Sequence, residues 1–331
     1  MRKLFPLAAL GLASAFLAQP AAAQSAPDFQ CGPTLPSAEI PYASRYIDVD
    51  GAKMHYYESG PSDGPVVLLL HGLPVSAYFW RNVIPHLDDN TRVIAMDHIG
   101  FGKSDRPEGL VYDTDDHVAY LDGFIREMGL NDIIMVGQDL GSWTGMVWAS
   151  HNPEKLRAVA LVEGIIPPVL PVVSATADPN LLGMWQAARV PEMAQKMFVD
   201  DNMFLNMVLP QFTACGLSEE ALAVYRAPWE DPASRHILYA TPAQLPIDGQ
   251  PPEMNDNVET YVEWINSTAL PKLFVHAEPG ALMNAEVIAA AKDTMSNLTT
   301  TNIGAGIHFL AESKPDAVGT ALSDWVDSLL K

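Results

Sequence analysis

Residues 133–151 constrain the fold more than any other part of the chain. The apolar run Ile-Ile-Met-Val predicts a buried strand, and the pattern Gly-x-Asp-x-Gly, with Asp139 at its centre, follows directly. A helical pattern then begins near Trp143. Small residues on both sides of the central position permit the sharp strand-to-helix turn of a nucleophile elbow. A carboxylate at that centre predicts attack on an electrophilic carbon and a covalent ester intermediate.

The order of predicted elements indicates an α/β fold. Eight strand-like runs occur, and helical patterns separate the later ones, which predicts a mainly parallel central sheet flanked by helices. The runs are residues 45–49, 54–59, 66–70, 92–96, 133–136, 158–162, 273–276 and 299–303. Between the sixth and seventh runs, residues 164–270 contain short helical patterns that 12 prolines interrupt. The predicted organisation is an N-terminal extension, a core and an inserted helical cap, comprising residues 24–44, residues 45–163 with 271–331, and residues 164–270.

The first residues have the features of an export signal. Arg2 and Lys3 precede an apolar run that reaches Leu17, and Ala21-Ala22-Ala23 supplies a cleavage site of the Ala-x-Ala type. The apolar run is short for a membrane span. We therefore predict a signal peptide in residues 1–23 and a periplasmic or secreted mature chain without a membrane span.

Charge and cysteine content limit the partners of the chain. The sequence has 40 acidic and 19 basic residues, a net charge of −21, and removal of Arg2 and Lys3 with the signal leaves 17 basic residues and a charge of −23. Such a surface argues against nucleic acid and anionic membranes as partners. The spacing of the Cys and His residues in this sequence does not match any pattern typical of a metal site. The two cysteines, Cys31 and Cys215, can pair in an oxidising compartment, but two unpaired buried thiols fit the sequence equally well.

Two loops follow predicted strands at the edge of the sheet where α/β folds place their sites. His71-Gly72-Leu73-Pro74 follows the third strand, and Gly72 lets the backbone turn so that the amide of Leu73 faces the site. Together with the amide of Leu140, it is predicted to form an oxyanion hole. His98 follows the fourth strand in a turn-forming loop, and we interpret it as structural.

The candidate acid and base also follow strands. Glu163 ends the strand that neighbours the elbow, and we predict that it is the catalytic acid, with Glu278 as a rival after the next strand. His308 lies after the last strand in a loop that Gly304 and Gly306 precede. A histidine in such a loop, downstream of an elbow, is the predicted base.

Ordered matches along residues 45–330 identify a family. They include Gly102-Lys103-Ser104-Asp105, Tyr225-Arg226-Ala227-Pro228 and Gly306-Ile307-His308-Phe309. With these motifs the chain resembles haloalkane dehalogenases of the α/β-hydrolase superfamily, in the subfamily that also contains Renilla-type luciferase. The resemblance implies an α/β-hydrolase fold without a cofactor, a small-molecule substrate and water as partners, and Asp139, Glu163 and His308 as nucleophile, acid and base.

Two positions depart from the family pattern. The family usually has Trp directly after the nucleophile and Asn or Glu after His-Gly, and their side chains hold the leaving halide; this chain has Leu140 and Leu73. Losing one preorganised donor costs about 3 kcal/mol, so we expect slow dehalogenation that favours bromo- and iodoalkanes over chloroalkanes. Trp185 and Phe204 in the cap are predicted substrate or leaving-group contacts, although Trp185 also fits plain packing. Trp143 is predicted to be a core residue.

Two other function classes remain open from the sequence. An epoxide hydrolase uses the same Asp–His–acid machinery and adds a cap tyrosine that protonates the ring oxygen. Tyr225 and Tyr239 are candidates, although both also match positions that are plain packing in dehalogenases. A non-catalytic binding protein on the same fold is the second alternative, and a luciferase-like oxygenase is a remote third. Retention of the complete triad argues against the binding protein.

Overall fold

The computed structural model describes residue 29 and residues 31–331, and the predicted signal peptide lies outside this range. All eight predicted strands are present and form one sheet in the order β1-β2-β4-β3-β5-β6-β7-β8. The strands are β1 (Arg45–Val49), β2 (Ala52–Ser59), β3 (Val66–Leu70), β4 (Arg92–Met96), β5 (Ile133–Asp139), β6 (Leu156–Gly164), β7 (Lys272–Pro279) and β8 (Leu298–Gly306).

The sheet is parallel from β4 to β8, and β2 pairs antiparallel with both of its neighbours. Strands β3 and β5 are almost entirely buried, in keeping with their continuous apolar sequences. Because β3, β5, β6 and β8 run in the same direction, their carboxyl ends meet at one edge of the sheet. This edge carries the elbow and the other loops singled out in the sequence.

Helices cover the sheet and form the cap. In the core they are Thr114–Glu127, Leu140–His151, Ala285–Thr294, Leu310–Ser313 and Pro315–Leu329. Between β6 and β7 they are Pro179–Ala188, Pro191–Ala194, Leu209–Phe212, Glu219–Arg226, Ile237–Gln244 and Pro252–Ser267, with π-helical turns at Gln195–Asp200 and Phe204–Val208. Short polar side chains cap several of these helices; the side chain of Ser218, for example, accepts from the amide of Ala221.

A disulfide joins the N-terminal extension to the cap. Cys31 and Cys215 are bonded, with their Cα atoms 5.5 Å apart. The bond links positions that are 184 residues apart in sequence. The sequence left this pairing open, and the structure resolves it.

Among the residues that the structure describes, no helix is both long enough and apolar enough to span a bilayer.

Candidate active site

Asp139 occupies a strained turn between β5 and the helix Leu140–His151, called here the elbow helix. Its backbone angles are φ +48° and ψ −122°, a conformation that side-chain-bearing residues rarely adopt. The turn depends on close backbone approaches at the flanking glycines. A Cβ at Gly141 would lie 2.4 Å from the carbonyl oxygen of Leu70, and one at Gly137 would lie 2.6 Å from the Cα of Ser142. The glycines of the predicted motif are therefore required by the geometry of the turn.

The carboxylate of Asp139 faces two backbone amides. The amide of Leu73 donates to Oδ1 at 3.0 Å, and a Cβ at Gly72 would lie only 2.5 Å from the Cβ of Asp139. Burial opposes ionisation of Asp139. Hydrogen bonding and charge from His308, together with the amides of Leu73 and Leu140, outweigh it and hold the pKa of Asp139 below its ordinary value. Asp139 is therefore an anion at neutral pH, as a nucleophile must be.

His308 lies between two carboxylates. Its Nε2 is 3.5 Å from Oδ2 of Asp139, and its Nδ1 is 3.2 Å from Oε2 of Glu163. Burial alone would lower the pKa of the imidazole, but the hydrogen bonds and charges of Asp139 and Glu163 raise it to about 9. The two carboxylates therefore favour the protonated form of His308 in the resting protein.

Glu163 is fully buried behind His308 and is held by backbone amides. The amides of Ala281 and Leu282 donate to its Oε2 at 3.0 and 2.9 Å, and the amide of Met283 donates to Oε1 at 3.3 Å. These bonds satisfy a carboxylate that has no contact with solvent. They also fix the oxygen that faces Nδ1 of His308.

The rival acid, Glu278, lies elsewhere. Its side chain is exposed and accepts a hydrogen bond from Asn302 at 2.6 Å. Glu163 and not Glu278 therefore lies beside His308.

Two residues of the elbow that the sequence analysis passed over also support the site. The side-chain nitrogen of Gln138, which is fully buried, lies 3.0 Å from Nε2 of His308. The hydroxyl of Ser142 donates to the carbonyl of Asp139 at 2.6 Å and accepts from the amide of Ile165 at 2.8 Å. Ser142 thus ties the elbow to the end of β6. In the sequence, only their positions close to Asp139 could have indicated that Gln138 and Ser142 support the site.

A cavity of about 200 Å³ opens over Asp139, between core and cap. Its wall is mainly apolar and includes Leu73, Leu140, Ile165, Met184, Phe212 and Leu282. Both predicted cap contacts, Trp185 and Phe204, line it. Trp143, predicted to be a core residue, is buried as expected but also lines this cavity. The structural role given to His98 is consistent with its placement, because its ring is buried against His71 and outside the cavity wall.

Both tyrosines considered as epoxide-opening acids lie away from the cavity. The hydroxyl of Tyr225 is buried and donates to Glu312, which also pairs with Arg81. Tyr239 stacks on Phe198, with ring centroids 5.7 Å apart. Among the described residues, no tyrosine lines the cavity. These positions agree with plain packing, the other role that the sequence left open for the two tyrosines.

The arrangement combines a carboxylate, an imidazole and a buried second carboxylate at the floor of an apolar cavity. It suits nucleophilic attack on an apolar electrophile followed by general-base chemistry. Within the described part of the chain there is no group of three or more His, Cys, Asp or Glu side chains that could hold a metal ion.

Comparisons with known proteins agree with this architecture. The α/β-hydrolase fold family model matches residues 65–315. A haloalkane dehalogenase of Mesorhizobium japonicum is 33% identical over 301 residues, which cover 91% of this chain and 96% of the relative. One from Sphingobium indicum is 34% identical, covering 86% of this chain and 95% of the relative.

Solved structures give the same result. The crystal structure of haloalkane dehalogenase DbeA from Bradyrhizobium elkani matches with a TM-score of 0.82 and 33% identity, covering 87% of this chain and 98% of that one. Haloalkane dehalogenase DatA from Agrobacterium tumefaciens matches with a TM-score of 0.79 and 31% identity, covering 87% of this chain and 97% of that one. The chain therefore belongs to the α/β-hydrolase fold family and, within it, is a hydrolase of the haloalkane dehalogenase group.

Proposed function

We propose that this enzyme cleaves carbon–halogen bonds of haloalkanes through a covalent alkyl ester on Asp139. One observation carries the proposal: an ionised carboxylate stands at the centre of the elbow, beneath an apolar cavity, where related hydrolases with other chemistries use a hydroxyl. The named relatives are haloalkane dehalogenases, which supports the same chemistry here.

In the first step, an oxygen of Asp139 attacks the carbon that bears the halogen. A carbon–oxygen bond forms, the carbon–halogen bond breaks, and its electron pair leaves with the halide. The apolar wall favours an uncharged alkyl chain and excludes water from the ionised nucleophile, which strengthens its interactions with the site. No proton moves in this step.

In the second step, water hydrolyses the ester. His308 removes a proton from the water, the resulting hydroxide attacks the ester carbonyl, and the alcohol leaves as Asp139 is restored. Glu163 stabilises the imidazolium and holds Nδ1 as the protonated nitrogen. The amides of Leu73 and Leu140 stabilise the negative oxygen of the tetrahedral intermediate.

Epoxide hydrolysis is less well supported. Ring opening needs an acid at the leaving oxygen, and the cavity wall offers no tyrosine among the described residues. A halide needs only hydrogen-bond donors, since it departs as a stable anion. The haloalkane therefore fits the cavity better than the epoxide.

Trapping the intermediate tests the proposal. In His308→Ala the ester cannot be hydrolysed, so incubation with 1-bromobutane should add the mass of one butyl group to the peptide that contains Asp139. The double variant Asp139→Ala, His308→Ala is the matched control and should gain nothing. An adduct from an epoxide, with none from bromo- or iodoalkanes, would transfer the assignment to epoxide hydrolysis. Absence of any adduct would refute covalent catalysis.

We also propose that the enzyme is exported and that the mature chain begins at Gln24. The disulfide between Cys31 and Cys215 supports this, because such bonds persist mainly in oxidising compartments. Expression of the full chain in a bacterium, followed by fractionation and N-terminal sequencing, tests it. A cytoplasmic protein with an intact N-terminus would contradict export.

A further inference from the structure

Gln138 precedes the nucleophile, and its side chain contacts the atom of His308 that serves as the base in the proposed mechanism. The side chain is fully buried, and its nitrogen lies 3.0 Å from Nε2 of the imidazole. Oδ2 of Asp139 is further from Nε2, at 3.5 Å. The charged groups that face the imidazole, among the described residues, are Asp139 and Glu163. Gln138 therefore adds a neutral contact at the atom that removes a proton from water.

The side-chain amide of Gln138 can pair with Nε2 in both protonation states of His308. An amide offers N–H donors on its nitrogen and lone pairs on its oxygen. With the nitrogen toward the ring, as in this structure, an N–H donates to the lone pair of the neutral imidazole. Nε2 of an imidazolium carries a proton and can only donate. Rotation of the amide by about 180° around its last bond presents the oxygen to that proton.

Oε1 of Gln138 is available for this second pairing. It is buried, and it has no hydrogen-bond partner among the described residues. Gly72 makes room for it, because a Cβ at that position would lie 2.2 Å from Oε1. Buried amide oxygens are rarely left without a donor. The protonated Nε2 of His308 is a donor that the reaction itself produces beside this amide.

We propose that Gln138 is a positioning residue that holds Nε2 of His308 for hydrolysis of the ester on Asp139. The inference rests on the function proposed above and concerns its second step. The amide N–H of Gln138 fixes the neutral ring until water reaches the same lone pair. A proton then moves from water to Nε2, the electron pair of the broken O–H bond stays with the hydroxide that attacks the ester, and Oε1 accepts from the new N–H. Gln138 itself gains and loses no proton.

This role separates the two chemical steps. Alkylation uses the carboxylate of Asp139 and moves no proton, so it does not require His308 to act as a base. Hydrolysis needs a neutral Nε2 at its start and a stable imidazolium afterwards. A change at Gln138 should therefore slow hydrolysis of the ester and leave alkylation unaltered, whereas a residue that only fills space would affect both steps or neither.

Three variants test the proposal in single-turnover kinetics with 1-bromobutane, in which bromide, the alkyl-enzyme and butanol are each followed over time. Gln138→Met keeps the length of the side chain and removes its polar atoms. Gln138→Glu keeps an acceptor and removes the donor. Thr144→Val is the matched control, because the buried hydroxyl that it removes donates to the carbonyl of Leu140 within the elbow helix, at 3.0 Å. Thermal unfolding shows whether each variant keeps the fold.

We expect Gln138→Met to slow hydrolysis of the alkyl-enzyme about tenfold, as for loss of one hydrogen bond, with an unchanged rate of alkylation. Gln138→Glu should move the half-maximal rate of hydrolysis to a higher pH, because a carboxylate beside Nε2 stabilises the imidazolium and the neutral base forms only at higher pH. Thr144→Val should keep both rates and the pH profile of the unmodified enzyme.

Hydrolysis by Gln138→Met at the unmodified rate, or equal slowing of alkylation and hydrolysis, would overturn the role of Gln138. An unchanged pH profile in Gln138→Glu would do the same, and this variant decides the question if Gln138→Met does not fold. Absence of bromide release and of any alkyl-enzyme in the unmodified protein would instead overturn the proposed function.

Discussion

Alkylation of Asp139 should change the protonation state of His308, and the variant Asp139→Ala tests this. In the resting enzyme, burial lowers the pKa of His308, but the carboxylates of Asp139 and Glu163 raise it to about 9. A protonated imidazole cannot act as a base. Once Asp139 becomes an uncharged ester, its contribution disappears and the pKa of His308 falls. The base would therefore become competent when the intermediate forms, and Asp139→Ala removes the same charge.

The size of this effect follows from the pKa shift of His308. The difference between the ordinary 6.5 and about 9 corresponds to about 3 kcal/mol in favour of the charged imidazole. This free energy is what remains of the stabilisation by Asp139 and Glu163 after the cost of burying the charged imidazole has been offset. With Asp139 removed, Glu163 alone opposes burial, so we expect the proton affinity of His308 to fall at least about tenfold.

The same shift sets the sign of a stability effect. Between pH 6.5 and about 9 the folded enzyme binds a proton at His308 that the unfolded chain has lost. The stabilisation is therefore complete below pH 6.5 and disappears as the pH rises through about 9. Unfolding by urea at pH 6 and at pH 9.5 should show a loss of about 3 kcal/mol from this group in the unmodified enzyme, and a smaller loss in Asp139→Ala.

NMR titration of the histidine rings measures the pKa directly. The chain has 9 histidines, and the signal of His308 is identified by its absence from His308→Ala. Glu278→Gln is the control, because it removes an exposed carboxylate outside the hydrogen-bonded triad and should leave the titration of His308 unchanged. An unchanged pKa in Asp139→Ala would refute activation of the base by alkylation.

Three further predictions concern the acid, the disulfide and a buried histidine. Glu163→Gln should slow hydrolysis more than alkylation, so a rapid burst of halide followed by slow alcohol release is expected in quenched-flow kinetics; equal slowing of both would contradict its role behind His308. The variant Cys31→Ser, Cys215→Ser should lower the free energy of unfolding by about 2–4 kcal/mol in urea titrations, and an unchanged value would show that the bond does not restrain the chain. Burial lowers the pKa of His117 to about 4, so its neutral form is favoured on folding and stability should fall by about 3 kcal/mol as the pH drops from 6.5 to 4. His117→Phe should reduce this acid-induced loss of stability. An identical pH dependence in both proteins would contradict the assignment of the loss to His117.

The sheet and the triad could be predicted from sequence because each has a local signal. Strands β3 and β5 and the centre of β6 are continuous apolar runs, and Asp139 and Glu163 stand at the ends of two of them. His308 follows the threonine-containing strand β8, and its signal was the loop with Gly304 and Gly306. Parallel strands bring their carboxyl ends together, so residues far apart in sequence converge without any knowledge of tertiary contacts. The β-strand boundaries were less well predicted; β6 and β7 extend several residues beyond their apolar centres.

The cap could not be predicted in the same way. Its helices pack through irregular contacts, and a helical pattern shows that a residue is buried but not what it touches. The sequence left Tyr225 open between the cavity and plain packing, and the structure shows its hydroxyl bonded to the buried ion pair of Glu312 with Arg81. Trp143 was correctly predicted to be buried, but the state of its indole nitrogen depends on every neighbouring group and is visible only in three dimensions.

The triad alone does not determine which substrates this enzyme accepts. In the proposed mechanism Asp139 attacks the carbon, and His308, oriented by Glu163, activates water, so their geometry would serve any alkyl ester intermediate. Discrimination between leaving groups depends on the opposite side of the breaking bond, where this chain has leucine side chains at positions 73 and 140. A site with fewer donors stabilises the departing anion less, so more of the barrier depends on the strength of the bond that breaks. Bromide and iodide, whose bonds to carbon are weaker than that of chloride, should therefore be the preferred leaving groups.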